Sequence, residues 1–181
     1  PTSLTIAKDT KFTSSISATS YTFTTTETTT IIPVGGVYSV TNLPIKEGKI
    51  INKSYTVDLA DTTQRFVIPN ANVDTSTIDV TVQNSVSDTT VVTWTDGNSL
   101  DVTTITSNQK VYFLQEVEEG KYEIIFGDGA VGKQLVDGNI IFIEYLVTQG
   151  VIANKASSFT AVGTVAGLSA ANYTLTVAAA A

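Results

Sequence analysis

The chain has 181 residues, enough for one ordinary domain or two small ones that each bury a core. It has neither cysteine nor histidine, which excludes disulfide frameworks, Ser-His-Asp and Cys-His catalytic sites and the usual metal-binding clusters. Ten basic and seventeen acidic residues give a net charge of −7, which argues against nucleic acid and anionic membranes as partners.

The composition predicts an all-β fold. There are 31 threonines, with valine and isoleucine abundant, and such β-branched side chains pack well on strands but lose rotamer freedom in helices. Charged and aromatic residues concentrate in the middle, which predicts a central antiparallel β-sandwich-like domain at residues 46–149. Residues 1–45 and 150–181, which are poor in charge, are expected to form a flanking β-layer.

Two further features indicate a piece of a larger protein. The absence of methionine predicts an excised or processed fragment. The alanine-rich tail at residues 178–181 resembles a scar or an incompletely identified tail, and it is excluded from the predicted fold.

The first distinctive element is the threonine-rich tract at residues 22–30. Tyr21, Phe23 and Thr25 alternate with threonines, which is the period of a strand. An exposed strand with its hydroxyls facing water is the simpler interpretation. A glycan- or ice-like binding face is the alternative, but such a face should repeat in register on neighbouring strands, and this tract does not recur.

The central strands follow the same alternation. Alternating apolar residues are Ile78, Val80 and Val82. Trp94 shares a face with Val92 and is predicted to anchor the core or a subunit interface. The run Asp96-Gly97-Asn98 supplies only a fragment of a calcium loop and is predicted to form a hairpin turn after Trp94.

Residues 121–148 give the clearest signal, two strands joined by a glycine-rich loop. The loop Gly127-Asp128-Gly129-Ala130-Val131-Gly132 fits the G-x-G-x-x-G pattern of dinucleotide-binding folds. That pattern needs a helix that opens at the last glycine, and too few residues follow before the turn Asp137-Gly138-Asn139. We therefore interpret the glycines as an irregular hairpin connection that uses positive φ angles.

The candidate site residues belong to this loop: Gly127, Asp128, Gly129, Gly132 and Lys133. They are predicted to form a structural loop and a candidate subunit contact. Lys133 is expected to neutralise Asp128 or Asp137, or to contact a neighbouring subunit. No residue is assigned a catalytic, cofactor-binding or metal-binding role, and no small-molecule substrate is expected.

Carboxylates crowd the same region, so a two-acid glycosidase is a further alternative. Glu116 and Glu118 lie on one side of an alternating strand and Glu119 leads into the turn at Gly120, as at a solvated strand end. A catalytic pair also needs one acid in an apolar pocket that raises its pKa, and no pattern indicates such a pocket. Arg65, the only arginine, is expected to form an ion pair with a nearby carboxylate.

Several segments together resemble the baseplate wedge proteins of contractile-tailed bacteriophages, within the wider baseplate J-like family. The segments are residues 4–12 with 21–23, residues 64–71, residues 111–117, and residues 122–133 with 137–139. The last is the most specific, because an aromatic-Gly-Asp-Gly loop, a Gly-Lys pair and an Asp-Gly-Asn strand entry occur in order. In the first segment, Asp9 stands where glycine is expected.

The resemblance implies a non-enzymatic building block of the tail baseplate of the virion, assembled in the host cytoplasm. It also implies self-association and contacts with other wedge proteins in a ring around the central hub, with no catalytic residues to carry over. A carbohydrate-binding or adhesin β-domain is the alternative function, suggested by threonine-rich strands, seven tyrosines and one tryptophan. Such domains usually expose aromatics for stacking, whereas most aromatics here alternate as core residues.

Overall fold

A computed structural model describes residues 2–169, and in that part every helical segment is a short 3-10 turn. The prediction of an all-β protein is confirmed. The strands are β1 (Leu4–Ile6), β2 (Lys11–Ile16), β3 (Thr19–Thr25), β4 (Thr29–Ile31), β5 (Ile45–Glu47), β6 (Lys49–Thr56), β7 (Val67–Ile68), β8 (Val73–Gln83), β9 (Val91–Asp96), β10 (Val111–Glu116), β11 (Tyr122–Phe126), β12 (Ile140–Val147) and β13 (Thr160–Ala161).

The chain divides into two compact units. The terminal unit combines Pro1–Lys49 with Thr148–Ala181, and the central unit is Ile50–Val147. The alanine-rich tail at residues 178–181 lies outside the described residues. No helix of residues 2–169 has the length and apolar character needed to cross a membrane.

The terminal unit is built on a four-stranded sheet in the order β13-β2-β3-β5, with β1 and β4 paired separately. Strand β13 pairs antiparallel with β2, so residues from both sides of the central unit in sequence contribute to one sheet. Phe12 and Phe23 lie directly opposite each other on neighbouring strands. Their face forms the core with Ile6 and Tyr21, all less than a tenth exposed.

The threonine tract is only in part the exposed strand that its composition predicts: Thr28 and Thr30 are exposed, whereas Thr24 and Thr25 are buried. Thr24 and Thr25 are 2% and 1% exposed. The Thr25 hydroxyl donates to the Ala7 carbonyl at 2.8 Å and accepts from the Thr10 amide at 2.9 Å. These two bonds satisfy the Thr25 hydroxyl inside the sheet. The Thr24 hydroxyl is buried without a hydrogen-bond partner within the described chain.

The central unit is one seven-stranded sheet in the order β6-β12-β8-β9-β10-β11-β7. Its two edge strands, β6 and β7, lie close together. The Tyr55 hydroxyl of β6 donates a hydrogen bond to the Val67 carbonyl of β7. The sheet therefore curls into a near-barrel, an arrangement that leaves little unpaired edge.

The interior of the central unit follows the predicted alternation. Ile78, Val80 and Val82 are 7%, 0% and 5% exposed. Trp94 is 5% exposed and packs edge-on against Phe126, with 5.1 Å between ring centroids. Trp94 is thus a core anchor, which confirms the first of its two predicted roles.

The predicted hairpin after Trp94 is wrong. Strands β9 and β10 run parallel, with Val111 opposite Thr95, so the chain crosses over between them. Two short 3-10 turns occupy the connection, and each is capped by an aspartate: Asp96 accepts from the Asn98 amide and Asp101 from the Thr103 amide, both at 2.9 Å. The Asp-Gly-Asn run marks the first turn of this crossover.

Candidate subunit-contact loop

Residues 127–139 connect β11 to β12, and these strands are not neighbours. Strand β11 lies between β10 and β7, whereas β12 lies between β6 and β8. The prediction of a hairpin connection is therefore wrong. Turn residues fix a local change of direction, while the partner of each strand depends on contacts distant in sequence.

The loop bonds to a distant segment of the chain through its backbone. The Gly132 amide donates to the Thr106 carbonyl at 3.2 Å, and the Lys133 amide donates to the Gln109 carbonyl at 2.8 Å. These bonds dock the loop against the residues that lead into β10. Such partners satisfy the peptide groups that a hairpin would have paired across its strands.

The glycines fit this path for two different reasons. Gly129 and Gly132 have φ angles of 87° and 79°, a region that side chains disfavour. Gly127 has no such angle, but a Cβ placed on it would lie 2.3 Å from the carbonyl carbon of Gly132. The Gly129 amide donates to the Gly132 carbonyl at 3.1 Å and closes the turn.

Asp128 holds the loop from within. Its Oδ1 accepts from the amides of Val131 at 2.9 Å and Ala130 at 2.8 Å. These hydrogen bonds, the one from Val131 first, lower the pKa of the Asp128 carboxyl below its ordinary value because they stabilise the charged form. The aspartate in the glycine-rich run is thus a turn-stabilising residue.

The side chain of Lys133 is exposed. Within residues 2–169 it forms an ion pair with neither Asp128 nor Asp137, so the pairing predicted for it is not found. The Asp137 Oδ1 instead accepts from the Leu59 amide at 2.9 Å. Lys133 is one of several exposed residues of the loop, which also include Val131 and Val136.

Asn139, predicted only to be a turn residue, links two segments of the central unit through its side chain. It is 9% exposed, its Oδ1 accepts from the Val136 amide at 2.7 Å, and its Nδ2 donates to the Asn84 carbonyl at 2.8 Å. The amide thereby ties the start of β12 to the turn after β8. The signal that could have found it is the Asp-Gly-Asn strand entry of the resemblance.

The acidic turn, which we define as residues 116–123, runs from the last residue of β10 to the second residue of β11. Arg65 makes a two-pronged ion pair with Glu123, at 3.0 and 2.6 Å, which confirms the predicted pairing. Lys121 pairs with Glu119 at 2.6 Å. Glu116 and Glu118 are exposed, and no hydrogen bond or ion pair holds their carboxylates within the described chain.

The loop is held by hydrogen bonds within its turns. No group of three or more aspartates and glutamates within residues 2–169 is placed to hold a metal ion. The Asp128 carboxylate accepts from backbone amides and the loop backbone donates to distant carbonyls, which fixes the shape of the loop and leaves the Lys133 side chain exposed.

A family model matches the central unit. No curated protein matches the chain. The model of the third domain of bacteriophage baseplate wedge protein gp6 matches residues 49–151, more than half of the 181 residues. The match spans the central unit, including the whole of residues 127–139. The chain therefore belongs to the bacteriophage baseplate wedge protein gp6 family, with its central part corresponding to the third domain.

Proposed function

We propose that this chain is a structural block of a phage tail baseplate that associates with copies of itself and with other baseplate wedge proteins. The observation that carries the proposal is the family match over residues 49–151. Membership of that family gives the chain a structural role in the tail baseplate of the virion. We further propose that assembly takes place in the host cytoplasm.

Within this role, the loop of Gly127, Asp128, Gly129, Gly132 and Lys133 is the proposed contact of the central unit. Its backbone is bonded to the chain at Thr106 and Gln109, which holds its shape before a partner arrives. A loop fixed in advance loses little conformational entropy on binding. The exposed Lys133 supplies the charge that a partner carboxylate would recognise.

The proposal includes the absence of enzymatic activity. The sequence offers no histidine and no cysteine, which leaves carboxylates as the main candidates. Several exposed carboxyl groups have a pKa lowered by hydrogen bonds, from neighbouring side chains in most and from backbone amides in one: Asp61, Asp88, Asp101, Glu119 and Asp128. A general acid at neutral pH needs the opposite shift.

The carbohydrate-binding alternative has little support, because Phe142, at 39%, is the single exposed aromatic residue in the described part of the chain. Sugar-binding sites stack the ligand on exposed aromatic rings, whereas Trp94 and Tyr112 are 5% and 4% exposed. Thr24 and Thr25, in the tract that suggested a binding face, are buried.

Direct binding to other wedge proteins tests the proposal. The chain is immobilised, and purified wedge proteins of the same baseplate are passed over it in turn. We expect at least one to bind, and we expect Lys133→Glu to weaken that binding. Lys49→Glu is a matched control, because Lys49 is likewise an exposed lysine, lies outside the loop and undergoes the same change of charge. Absence of binding by every wedge protein would contradict the proposed contacts.

A further inference from the structure

Three turns of the central unit meet through hydrogen bonds. The Asp137 Oδ1 accepts from the Leu59 amide at 2.9 Å, and the Asn139 carbonyl accepts from the Val57 amide at 2.8 Å. The Asn139 Nδ2 in turn donates to the Asn84 carbonyl at 2.8 Å. The surface that these turns form is here called the end surface, and it consists of residues 57–64, 84–90 and 134–139.

Each turn of the end surface exposes a large aliphatic side chain. Leu59, Val86 and Val136 are 54%, 80% and 59% exposed. Single exposed apolar residues are ordinary on protein surfaces, but three on turns that are bonded to one another form an apolar patch. Such a patch is typical of a surface that binds another protein.

Side-chain hydrogen bonds hold the end surface in shape. The Gln64 side chain closes the first turn, because its Oε1 accepts from the Asp58 amide at 3.0 Å and its Nε2 donates to the Thr56 carbonyl at 2.8 Å. In the second turn, the Asn84 Nδ2 donates to the Asp88 carboxylate at 2.7 Å. Turns fixed in this way lose little conformational entropy when a partner binds.

The charges of the end surface are all negative. It contains four exposed aspartates, Asp58, Asp61, Asp88 and Asp137, and no lysine or arginine. The hydrogen bonds that these carboxylates accept come from backbone amides, a threonine hydroxyl and an asparagine amide, which are uncharged donors. The negative charges therefore favour a basic partner, whereas a second copy of the same surface would be repelled.

We propose that the end surface binds a segment of another wedge protein in which apolar side chains are flanked by lysines or arginines. This inference rests on the binding to other wedge proteins proposed above, and it names a surface and a partner chemistry for that binding. Leu59, Val86 and Val136 supply the apolar area that the contact buries. The four aspartates attract the basic flanks and speed the association.

Removal of exposed aliphatic side chains tests the surface. The unmodified chain and each variant are immobilised, and purified wedge proteins of the same baseplate are passed over them in turn. We expect Leu59→Ser combined with Val86→Ser to weaken the binding of at least one wedge protein at least about tenfold. Val102→Ser combined with Ile125→Ser is the matched control, because these residues are 55% and 40% exposed elsewhere in the same unit and should leave binding unchanged.

Neutralisation of two aspartates tests the chemistry of the partner. Asp58→Asn combined with Asp61→Asn keeps an oxygen as the acceptor in the turn, and it should slow association and reduce the loss of binding between about 0.05 and 0.5 M NaCl. Asp96→Asn combined with Asp101→Asn removes the same charge from two other turns and should have a smaller effect on both. Circular dichroism checks that every variant keeps its fold.

The outcomes separate this inference from the proposal on which it rests. If the variant of Leu59 and Val86 bound every wedge protein as tightly as the unmodified chain does, the end surface would be excluded while the proposed contacts stood. Loss of self-association by that variant instead would make a second copy the occupant and overturn the stated partner. An unchanged salt dependence in the variant of Asp58 and Asp61 would overturn the basic flanks. Absence of binding by every wedge protein would overturn the proposed contacts and this inference together.

Discussion

Gly127 and Gly132 approach so closely that a Cβ on Gly127 would lie 2.3 Å from the carbonyl carbon of Gly132. This contact brings the start and end of the six-residue glycine run together, and the Gly132 amide then reaches the Thr106 carbonyl at 3.2 Å. The close contact between their backbones thus explains why glycine is needed at position 127 of a loop that matches a nucleotide-binding pattern.

Gly127→Ala should destabilise the protein by about 2–4 kcal/mol, because the added methyl would overlap the Gly132 backbone. The measurement is urea unfolding followed by circular dichroism. Gly138→Ala is the matched control: Gly138 has a φ of 77° and nothing within 4 Å of its Cβ position, so backbone strain alone should cost about 1–2 kcal/mol. Equal losses for the two variants would contradict the close contact.

Gly129→Val should cost about 1–3 kcal/mol and impair folding or assembly, because a β-branched residue disfavours the φ of 87° found there. Gly129→Asn should cost less, since asparagine tolerates positive φ. Thermal melts of the two variants measure the loss of folding stability, and sedimentation of the folded variants then measures any loss of assembly. A Gly129→Val protein with unchanged melting and unchanged association would refute this account of the loop.

Ile124 and Ile125 provide a matched pair within β11. Ile124 is 1% exposed and Ile125 is 40% exposed. Replacing Ile124 with alanine should cost about 2–5 kcal/mol, whereas the same change at Ile125 should cost about 1 kcal/mol or less. Chemical denaturation measures both. A larger loss at Ile125 would show that the described orientation of the strand is reversed.

Tyr112 predicts a loss of stability at high pH. Burial, with smaller contributions from Asp96 and Asp79, raises the pKa of its hydroxyl to about 12, and the hydroxyl donates to the Ile78 carbonyl at 3.1 Å. In the unfolded chain the Tyr112 hydroxyl ionises near pH 10, whereas in the folded protein it keeps its proton up to about pH 12. The free energy of unfolding should therefore fall by up to about 2–3 kcal/mol between pH 10 and 12. Tyr112→Phe should flatten this fall, as measured by unfolding at several pH values. If the free energy of unfolding fell equally steeply with pH in Tyr112→Phe and in the unmodified protein, the raised pKa of Tyr112 would be refuted.

Residue alternation predicted the strands well because it reports burial directly. The apolar residues Ile78, Val80 and Val82 all lie in the core, as their spacing indicates. Trp94 and Arg65 also take predicted roles, since a large aromatic residue is readily buried and an isolated arginine readily pairs with a carboxylate.

The connections could not be predicted in the same way. The turn signals after Trp94 and Phe126 are the same whether the next strand pairs with the previous one or lies elsewhere in the sheet. The choice depends on distant contacts, such as the Lys133 amide with the Gln109 carbonyl, and on the parallel register of Val111 with Thr95. Burial of Thr24 was missed because a threonine tract has the composition of an exposed strand.

The central claim is that this chain is an assembly block that associates with itself. Sedimentation equilibrium from about 1 to 100 μM tests it most directly, because the method gives mass without reference to shape. The account predicts an average mass that rises with concentration above that of a single chain. A mass that stays at the single-chain value throughout this range would contradict it.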